Sequence, residues 1–352
     1  MFAQIEYPDK LLPEELDNYL ANGWFRMRQA IFTTNFLHFD QQFFSAIWLR
    51  VQLEGLITDK KYTTLKKLNK KFRTEIKKQP AEGITTTHEL LYLHYRQSVS
   101  FDVSPSLQEL LFGTETNNRF NTHVVNIYDG DELIAAGFFD LGQNSAAGIS
   151  CIYHPAYKKH SLGKYLMYLK LDFCKLQQVQ YFYPGYVVPG YAPFEYTLEI
   201  GKSALQYLQV ATKQWVPFST PAKMVNPIQI MVERLSTLNC LLLKKAISNH
   251  LLYYRFFEAN LHPYHYSFEF FDFPLFINCL PIEEASFYTM VVYDIREESY
   301  QLLDCSSAIN IGIQQQGSSI FEADLLKLNR VIFVSSSPEA MATYIAAALK
   351  EI

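Results

Sequence analysis

The chain has 352 residues, 49% hydrophobic and 19% charged, a globular balance long enough for two domains and at least one sizeable core. A formal charge of −4 and a pI near 6.2 exclude a global attraction to nucleic acid, so any such site must rest on local clusters of the 31 Lys and Arg residues. The five cysteines are scattered, with no Cys-x-x-Cys pair, which argues against a zinc ribbon, an iron–sulfur centre or a disulfide framework.

In chain order, Pro13 to Leu20 predicts a short helix ending near Gly23. The following run, GWFRMRQAIFTTNFLHFD, reads as strand plus loop, with a second strand over Ser45 to Leu53. Lys60 to Lys78 holds nine Lys or Arg residues against the single acid Glu75. Its apolar residues Leu65, Leu68, Phe72 and Ile76 are spaced by three or four, which predicts a helix ended by Pro80 and Gly83, with lysines crowding its outer face. A second helix is expected from an N-cap at Thr87 to about Arg96. From Asn121 the period changes to two: THVVNIYD, a turn at Gly130–Asp131 and ELIAAGFFDL read as a hairpin, and AAGISCIYH as a third strand. HSLGKYLMYLKLDFCKLQQ then reads as a helix with Leu162, Leu166, Leu169 and Phe173 on one side, and YFYPGYVV as a further strand.

This order of three strands, a helix and a strand is what an α+β, N-acetyltransferase-like mixed sheet with flanking helices would produce, although such orders are common. Past a break at STPAKMVNP, a helical stretch over about 229–258, strand-like runs SFYTMVVYDI and RVIFV, and a helix opened by Ser337 and Pro338 predict a C-terminal α+β extension. The expected division is 1–222, with its core at about 85–217, and 223–352. The charged N-terminus lacks an apolar signal core, and no apolar run approaches the roughly 20 residues that cross a bilayer, so the expected setting is cytoplasmic, with no membrane partner.

The segment richest in chemistry is SCIYHPAYKKHSLGKYLMYL. A strand runs into a loop with Lys158, Lys159 and His160, and a helix opens at Ser161 with free first-turn N–H groups. Gly163 allows close approach of a ligand, so the segment can serve as an anion cradle, although on local pattern alone a capped helix with solvated lysines is the better reading. It lacks the paired glycines of an acetyl-CoA pyrophosphate loop.

Ser150, Tyr153 and Pro155, followed by Ser161-Leu162-Gly163 and Tyr165, resemble the central motif of the arginyl- and leucyl-tRNA–protein transferases. Tyr183, Gly185, Tyr186, Pro189, Gly190 and Tyr196 are similar to that family's following stretch. Gly23-Trp24 with Arg26, the basic run Lys66 to Arg73, Leu91-Tyr92 with Tyr95, and Trp215-Val216-Pro217 extend the resemblance over roughly residues 5 to 217. Four features depart from it, one being that the basic residues expected shortly after Tyr95 are not evident. No cysteine cluster lies between Asn35 and Trp48, His154 replaces an acidic residue, and Pro193, Phe194, Tyr196 and Thr197 stand where the family has a Lys-Met…Tyr-Lys set.

The resemblance implies transfer of arginine or leucine from charged tRNA to a protein N-terminus, with acidic N-terminal residues as acceptors. Backbone N–H groups around Cys151 to His154 would bind the oxyanion, Tyr153, Tyr186 or Tyr196 would protonate the departing ribose oxygen, and His154 would take the amine proton. Ser161, Gly163, Lys158 and Lys159 would meet the substrate, with Arg73 a further cation for an acidic acceptor. Lys66, Lys67, Lys70, Lys71 and Arg73 would grip tRNA phosphates, and Trp24, Tyr92 and Tyr95 would stack on the terminal adenine, unless each is a core ring. No cofactor or metal is expected: His262 and His265 lack a third ligand, and Cys151, without a partner identifiable by spacing, reads as a small strand residue rather than a nucleophile. An acyl-CoA-dependent N-acyltransferase and a non-catalytic paralogue that binds tRNA or protein N-termini are the competing expectations.

Overall fold

In the computed structural model, which describes residues 1–57, 59–79, 83–219, 224–262, 268–279, 287–312 and 317–348, the chain opens with strand β1 (Ala3–Glu6) and helix α1 (Pro13–Ala21). Pro13 suits a first helical turn because its missing N–H would find no partner there, and Glu15 accepts from the Leu12 N–H at 2.7 Å. Gly23, at φ +78°, turns the chain after α1, and a Cβ there would come within 2.6 Å of Leu208. The run read as strand plus loop becomes β2 (Phe25–Met27), β3 (Ala30–Thr34) and β4 (Phe36–Phe39). β1, β3 and β2 form a small antiparallel sheet in that order, while β4 pairs with β5 (Gln42–Ser45). Strand β6 (Ile47–Gln52) then enters the main sheet.

The basic segment is not one helix. It folds as α2 (Lys60–Leu68), a turn at Asn69, and β7 (Arg73–Lys78). Two tertiary contacts override the helical spacing. The buried Asn69 side chain donates to the His160 carbonyl at 3.1 Å, and Arg73–Lys78 pairs with the edge of β8 (Thr122–Asp129). Leu68, expected on a buried stripe, is 44% exposed as a result. Pro80, the expected terminator, lies outside the described residues.

Helix α3 (Thr86–Arg96) begins earlier than expected, because Thr85 rather than Thr87 caps it, accepting from the His88 N–H at 3.3 Å. After α4 (Leu107–Leu111), β8 forms the expected hairpin with β9 (Glu132–Leu141), followed by β10 (Ser145–Tyr153), α5 (Leu162–Leu176) and β11 (Tyr181–Val187). A short helix α6 (Ala192–Glu195) and the pair β12 (Leu205–Gln209) and β13 (Gln214–Pro217) complete the unit. The sheet order is β13-β12-β6-β11-β10-β9-β8-β7, antiparallel except where β10 meets β11 across α5.

Alternation along β8 and β9 builds the two faces of this sheet. Val124, Ala136 and Phe138 pack under Leu91, Tyr92, Leu107 and Leu111 of α3 and α4. Val125, Ala135 and Phe139 pack under Leu162, Leu166 and Leu171 of α5, beside Tyr62 of α2. The mixed sheet with helices on both faces is the expected α+β architecture.

The stretch expected to be helical over 229–258 is α7 (Pro227–Lys244) followed by β14 (His250–Tyr254). The break comes at Ala246, which adopts φ +59°, and the Ile247 N–H folds back to the Leu242 carbonyl at 3.0 Å. Strands β15 (Leu275–Asn278), β16 (Phe287–Asp294), β17 (Ser299–Asn310), β18 (Ile320–Phe321) and β19 (Asp324–Ser335) then lead to α8 (Pro338–Ala348). These form a second sheet, β18-β14-β15-β16-β17-β19, covered by Met231, Leu235 and Leu238 of α7 and Met341 and Ile345 of α8. The N-terminus ties into this second core. Phe2 is fully buried there with Phe36, its N–H donates to buried Asp272, and its ring lies 3.9 Å from the Arg296 guanidinium.

Candidate functional site

β10 and β11 pair only from Ser145–Ala147 to Tyr181–Tyr183. Beyond that, β10 bulges between Gly148 and Ser150, β11 shifts register after Phe182, and the strands diverge into a wedge. The His154 N–H is taken by the Ile134 carbonyl at 2.9 Å, on the β9 side. Because N–H directions alternate along a strand, those of Tyr153 and Cys151 point the other way, into the wedge. Of the N–H groups expected to bind an oxyanion, these two are available and that of His154 is not.

Three tyrosines meet at the wedge. The Tyr153 ring stands edge-on to that of Tyr95 at 5.6 Å. A Cβ on Gly163 would lie 3.6 Å from the Tyr153 ring, so the bare glycine leaves room beside it. Tyr196, just past α6, is 47% exposed, while its phenol end lies close to Cys151 and Tyr95. Burial of that end, then the neighbouring Cys151 and Tyr95, raise its pKa above the ordinary phenol value. Burial, with Tyr153 and Cys151, pushes the Tyr95 phenol up to about 12. Both hydroxyls therefore keep their protons at neutral pH and can donate them.

Behind the wedge lies a residue the sequence reading passed over. Lys170, on α5, is fully buried. Its ammonium donates to the Phe138 carbonyl at 2.8 Å, the Ser150 carbonyl at 2.9 Å and Cys151 Sγ at 3.3 Å. A Cβ on Gly137 would sit 2.9 Å from Lys170 Cε, so the glycine in β9 makes space for the lysine stem. A lysine within the apolar positions of a helix, opposite a strand glycine, was the available clue.

The other expected residues scatter. Alternation turns His154 to the α3 side, away from Tyr153, where its ring lies 4.7 Å from His94 and its Nδ1 accepts from the Ala156 N–H at 3.3 Å. Tyr186 packs 5.2 Å from Trp48 and stacks on Phe194 at 5.4 Å, and burial with nearby Glu258 pushes its phenol up to about 12. Tyr92 is 2% exposed, its hydroxyl donating to the Ser104 carbonyl at 2.8 Å, which makes it a core ring with no face for a base. Trp24 sits edge-on to Tyr19 at 5.6 Å in the cluster of α1 and the small sheet. A half-buried ring ladder beside the Tyr196 loop was not anticipated: Phe39 stacks on Phe44 at 4.5 Å and meets Tyr191 at 4.7 Å, and Tyr191 leads to Phe194 at 5.9 Å.

The expected cradle differs in detail. A six-residue 3-10 turn, Pro155–His160, precedes α5, and Ser161 adopts a left-handed conformation with φ 49°. Its side chain does not cap the helix, and its N–H goes to the Lys158 carbonyl at 3.1 Å. Lys158 and Lys159 are exposed. The Asn69–His160 bond docks the turn between α2 and β7 on this loop, which sets Lys70 and Lys71 beside it. Burial first, then Lys71 and Lys159, lower the His160 pKa, so both ammoniums act on one imidazole. Lys66 pairs with Asp172 at 3.1 Å, Lys71 lies 3.8 Å from Asp129, and the Arg73 guanidinium covers the Tyr128 ring at 4.0 Å. Among the described residues no carboxylate pairs with Lys67, Lys70, Lys158 or Lys159. No group of three potential metal ligands comes together among the described residues, and His265 lies outside them.

Residues 87–207 match the family profile of the C terminus of arginine-tRNA-protein transferases. The chain is 23% identical over 202 residues to an aspartate/glutamate leucyltransferase of Leptospira interrogans, covering 55% of this chain and 76% of the relative. It is 26% identical over 183 residues to an aspartate/glutamate leucyltransferase of Vibrio cholerae, covering 51% and 75%. Among solved structures, the C-terminal domain of a putative lysylphosphatidylglycerol synthetase from Agrobacterium fabrum aligns over 44% of this chain and 49% of its own, at 11% identity and a TM-score of 0.33, too low to carry an argument. The match over residues 87–207 contains β10, α5, β11 and the wedge between them, so the part of the chain that is similar to the aminoacyl-tRNA–protein transferases is the part that builds the site.

Proposed function

We propose that this protein transfers an aminoacyl group, leucine or arginine, from charged tRNA to the N-terminal α-amine of proteins that begin with an acidic residue. The observation that supports this best is the wedge itself. Two outward N–H groups, of Cys151 and Tyr153, stand among the rings of Tyr95, Tyr153 and Tyr196, next to a loop and turn where Lys70, Lys158 and Lys159 have no carboxylate partner among the described residues.

The chemistry asks little beyond orientation. The donor is an activated ester and the nucleophile an amine of pKa about 8, so positioning and oxyanion binding carry most of the barrier reduction. The N–H groups of Cys151 and Tyr153 bind the developing oxyanion, and Tyr196, with Tyr153 beside it, protonates the ribose oxygen. Lys67, Lys70, Lys71 and Lys66 take tRNA phosphates, Lys158 and Lys159 meet the acidic acceptor, and Arg73 borders both. The ladder Phe39, Phe44, Tyr191 and Phe194 offers the stacking surface for the terminal adenine that buried Tyr92 cannot. Labelled leucine or arginine on tRNA, incubated with a peptide beginning Asp or Glu, should pass to that peptide; no transfer of either residue refutes the reading.

A second reading follows from the substitutions Pro193, Phe194 and Thr197 in the Tyr196 loop, which remove the family's lysines. A chain that binds tRNA with steep salt dependence yet transfers nothing would be a non-catalytic paralogue.

A further inference from the structure

A buried ammonium is stable only when its three donors are all satisfied and its charge is answered nearby. Lys170 meets the first condition through Phe138, Ser150 and Cys151. For the second, no carboxylate among the described residues lies within ion-pair distance of it. Of its three acceptors only the Cys151 sulfur is able to carry negative charge. Cys151 is also half-buried at the wedge, close to Tyr95 and Tyr196, with its own N–H directed to the same space. The other cysteines differ: Cys174, Cys279 and Cys305 are buried, with thiols pushed up to about 12 by burial, and Cys240 lies exposed on α7.

We propose that Cys151 Sγ is a nucleophile that takes the aminoacyl group from tRNA as a thioester, and that Lys170 is the positioning residue that holds the sulfur as a thiolate. The proposal rests on the aminoacyl-transfer reading. The thiolate attacks the ester carbonyl, a C–S bond forms, the C–O bond to the ribose breaks, and the ribose oxygen takes the Tyr196 proton. The acceptor α-amine then attacks the thioester. A C–N bond forms, the C–S bond breaks, the thiolate returns to Lys170, and the proton shed by the amine restores the Tyr196 phenol. The groups facing Cys151 are Lys170 from α5, with Cys174 one turn further along, Tyr95 from α3, Tyr153 on the same strand and Tyr196 from the loop after α6.

Two measurements on the full chain test this. Site-mapped alkylation by iodoacetamide at about pH 6.5 should modify Cys151 at least about tenfold faster than exposed Cys240, with Lys170→Met losing that advantage and Lys170→Arg keeping part of it. Acid-quenched reactions with labelled aminoacyl-tRNA should leave hydroxylamine-labile label on the peptide containing Cys151, absent in Cys151→Ser. If the wild type transfers label to peptide and Cys151→Ala does so equally fast, the thioester is overturned while the transfer reading stands. If the wild type transfers neither leucine nor arginine, the transfer reading falls and the thioester with it. Alkylation then decides the Lys170–Cys151 pair alone, and a Cys151 rate no greater than that of Cys240 overturns it.

Discussion

Replacing Lys66, Lys67, Lys70 and Lys71 by Ala probes the proposed tRNA grip without touching the wedge. All four side chains are exposed, and none contributes to either core, so the fold should survive. Each phosphate contact to a duplex lowers the slope of log K against log salt by about 0.9, so a fourfold rise in salt weakens binding about 3.5-fold per contact. The structure divides the four. Lys66 is already paired with Asp172 at 3.1 Å and Lys71 lies 3.8 Å from Asp129, whereas Lys67 and Lys70 have no carboxylate partner among the described residues. Losing the unpaired two should therefore flatten the slope by about 1.8, and losing all four by more than that but less than about 3.6. Filter binding or fluorescence anisotropy with charged tRNA, across about 50 to 200 mM salt, reads this directly. A slope unchanged in the quadruple variant would refute the proposed grip. A loss confined to Lys66 and Lys71 would refute the argument that existing ion pairs reduce a lysine's contribution.

Three further outcomes are expected. Arg26 and Asp140 form a fully buried pair at 2.9 Å that joins the small N-terminal sheet to β9, so Arg26→Met should cost about 3–5 kcal/mol in urea unfolding, with much of that recovered in Arg26→Met/Asp140→Asn. Tyr196→Phe should leave the unfolding midpoint nearly unchanged, because the side chain is 47% exposed, yet slow single-turnover transfer by about 100-fold if the phenol is the proton donor. His88 is buried against Asn126 and Phe138, and burial holds its pKa below the ordinary imidazole value despite the Asn126 bond. The unfolded chain therefore binds the His88 proton first as pH falls. The stability from neutral His88 is complete above about pH 6.5 and is lost below it, so His88→Gln should show a shallower acid decline in urea midpoint than the wild type.

The hairpin β8–β9, strand β10, helix α5 and strand β11 were legible because their periods of two and of three to four run unbroken and Gly130, at φ +61°, marks the turn. The basic segment was not, since Leu65, Leu68, Phe72 and Ile76 keep the same spacing whether the chain is one helix or a helix, a turn and a strand. The free edge of β8 and the Asn69 bond to His160 made the choice. Nor was the end of α7 legible, because its left-handed turn falls on Ala246 where a glycine would have announced it.

The same division runs through the site. By itself the sequence determined the family resemblance, the motif tyrosines Tyr95, Tyr153 and Tyr196, and the lysine-rich elements, since these are carried by residue type and local spacing. Only the tertiary structure decided which of them meet. The parity of β10 past its bulge sends Tyr153 toward α5 and His154 toward α3, burial removes Tyr92 from reach, and the packing of α5 on the sheet sets Lys170 against Cys151, 19 residues away in the chain. Contacts of that kind depend on register and layer order, which no local pattern encodes.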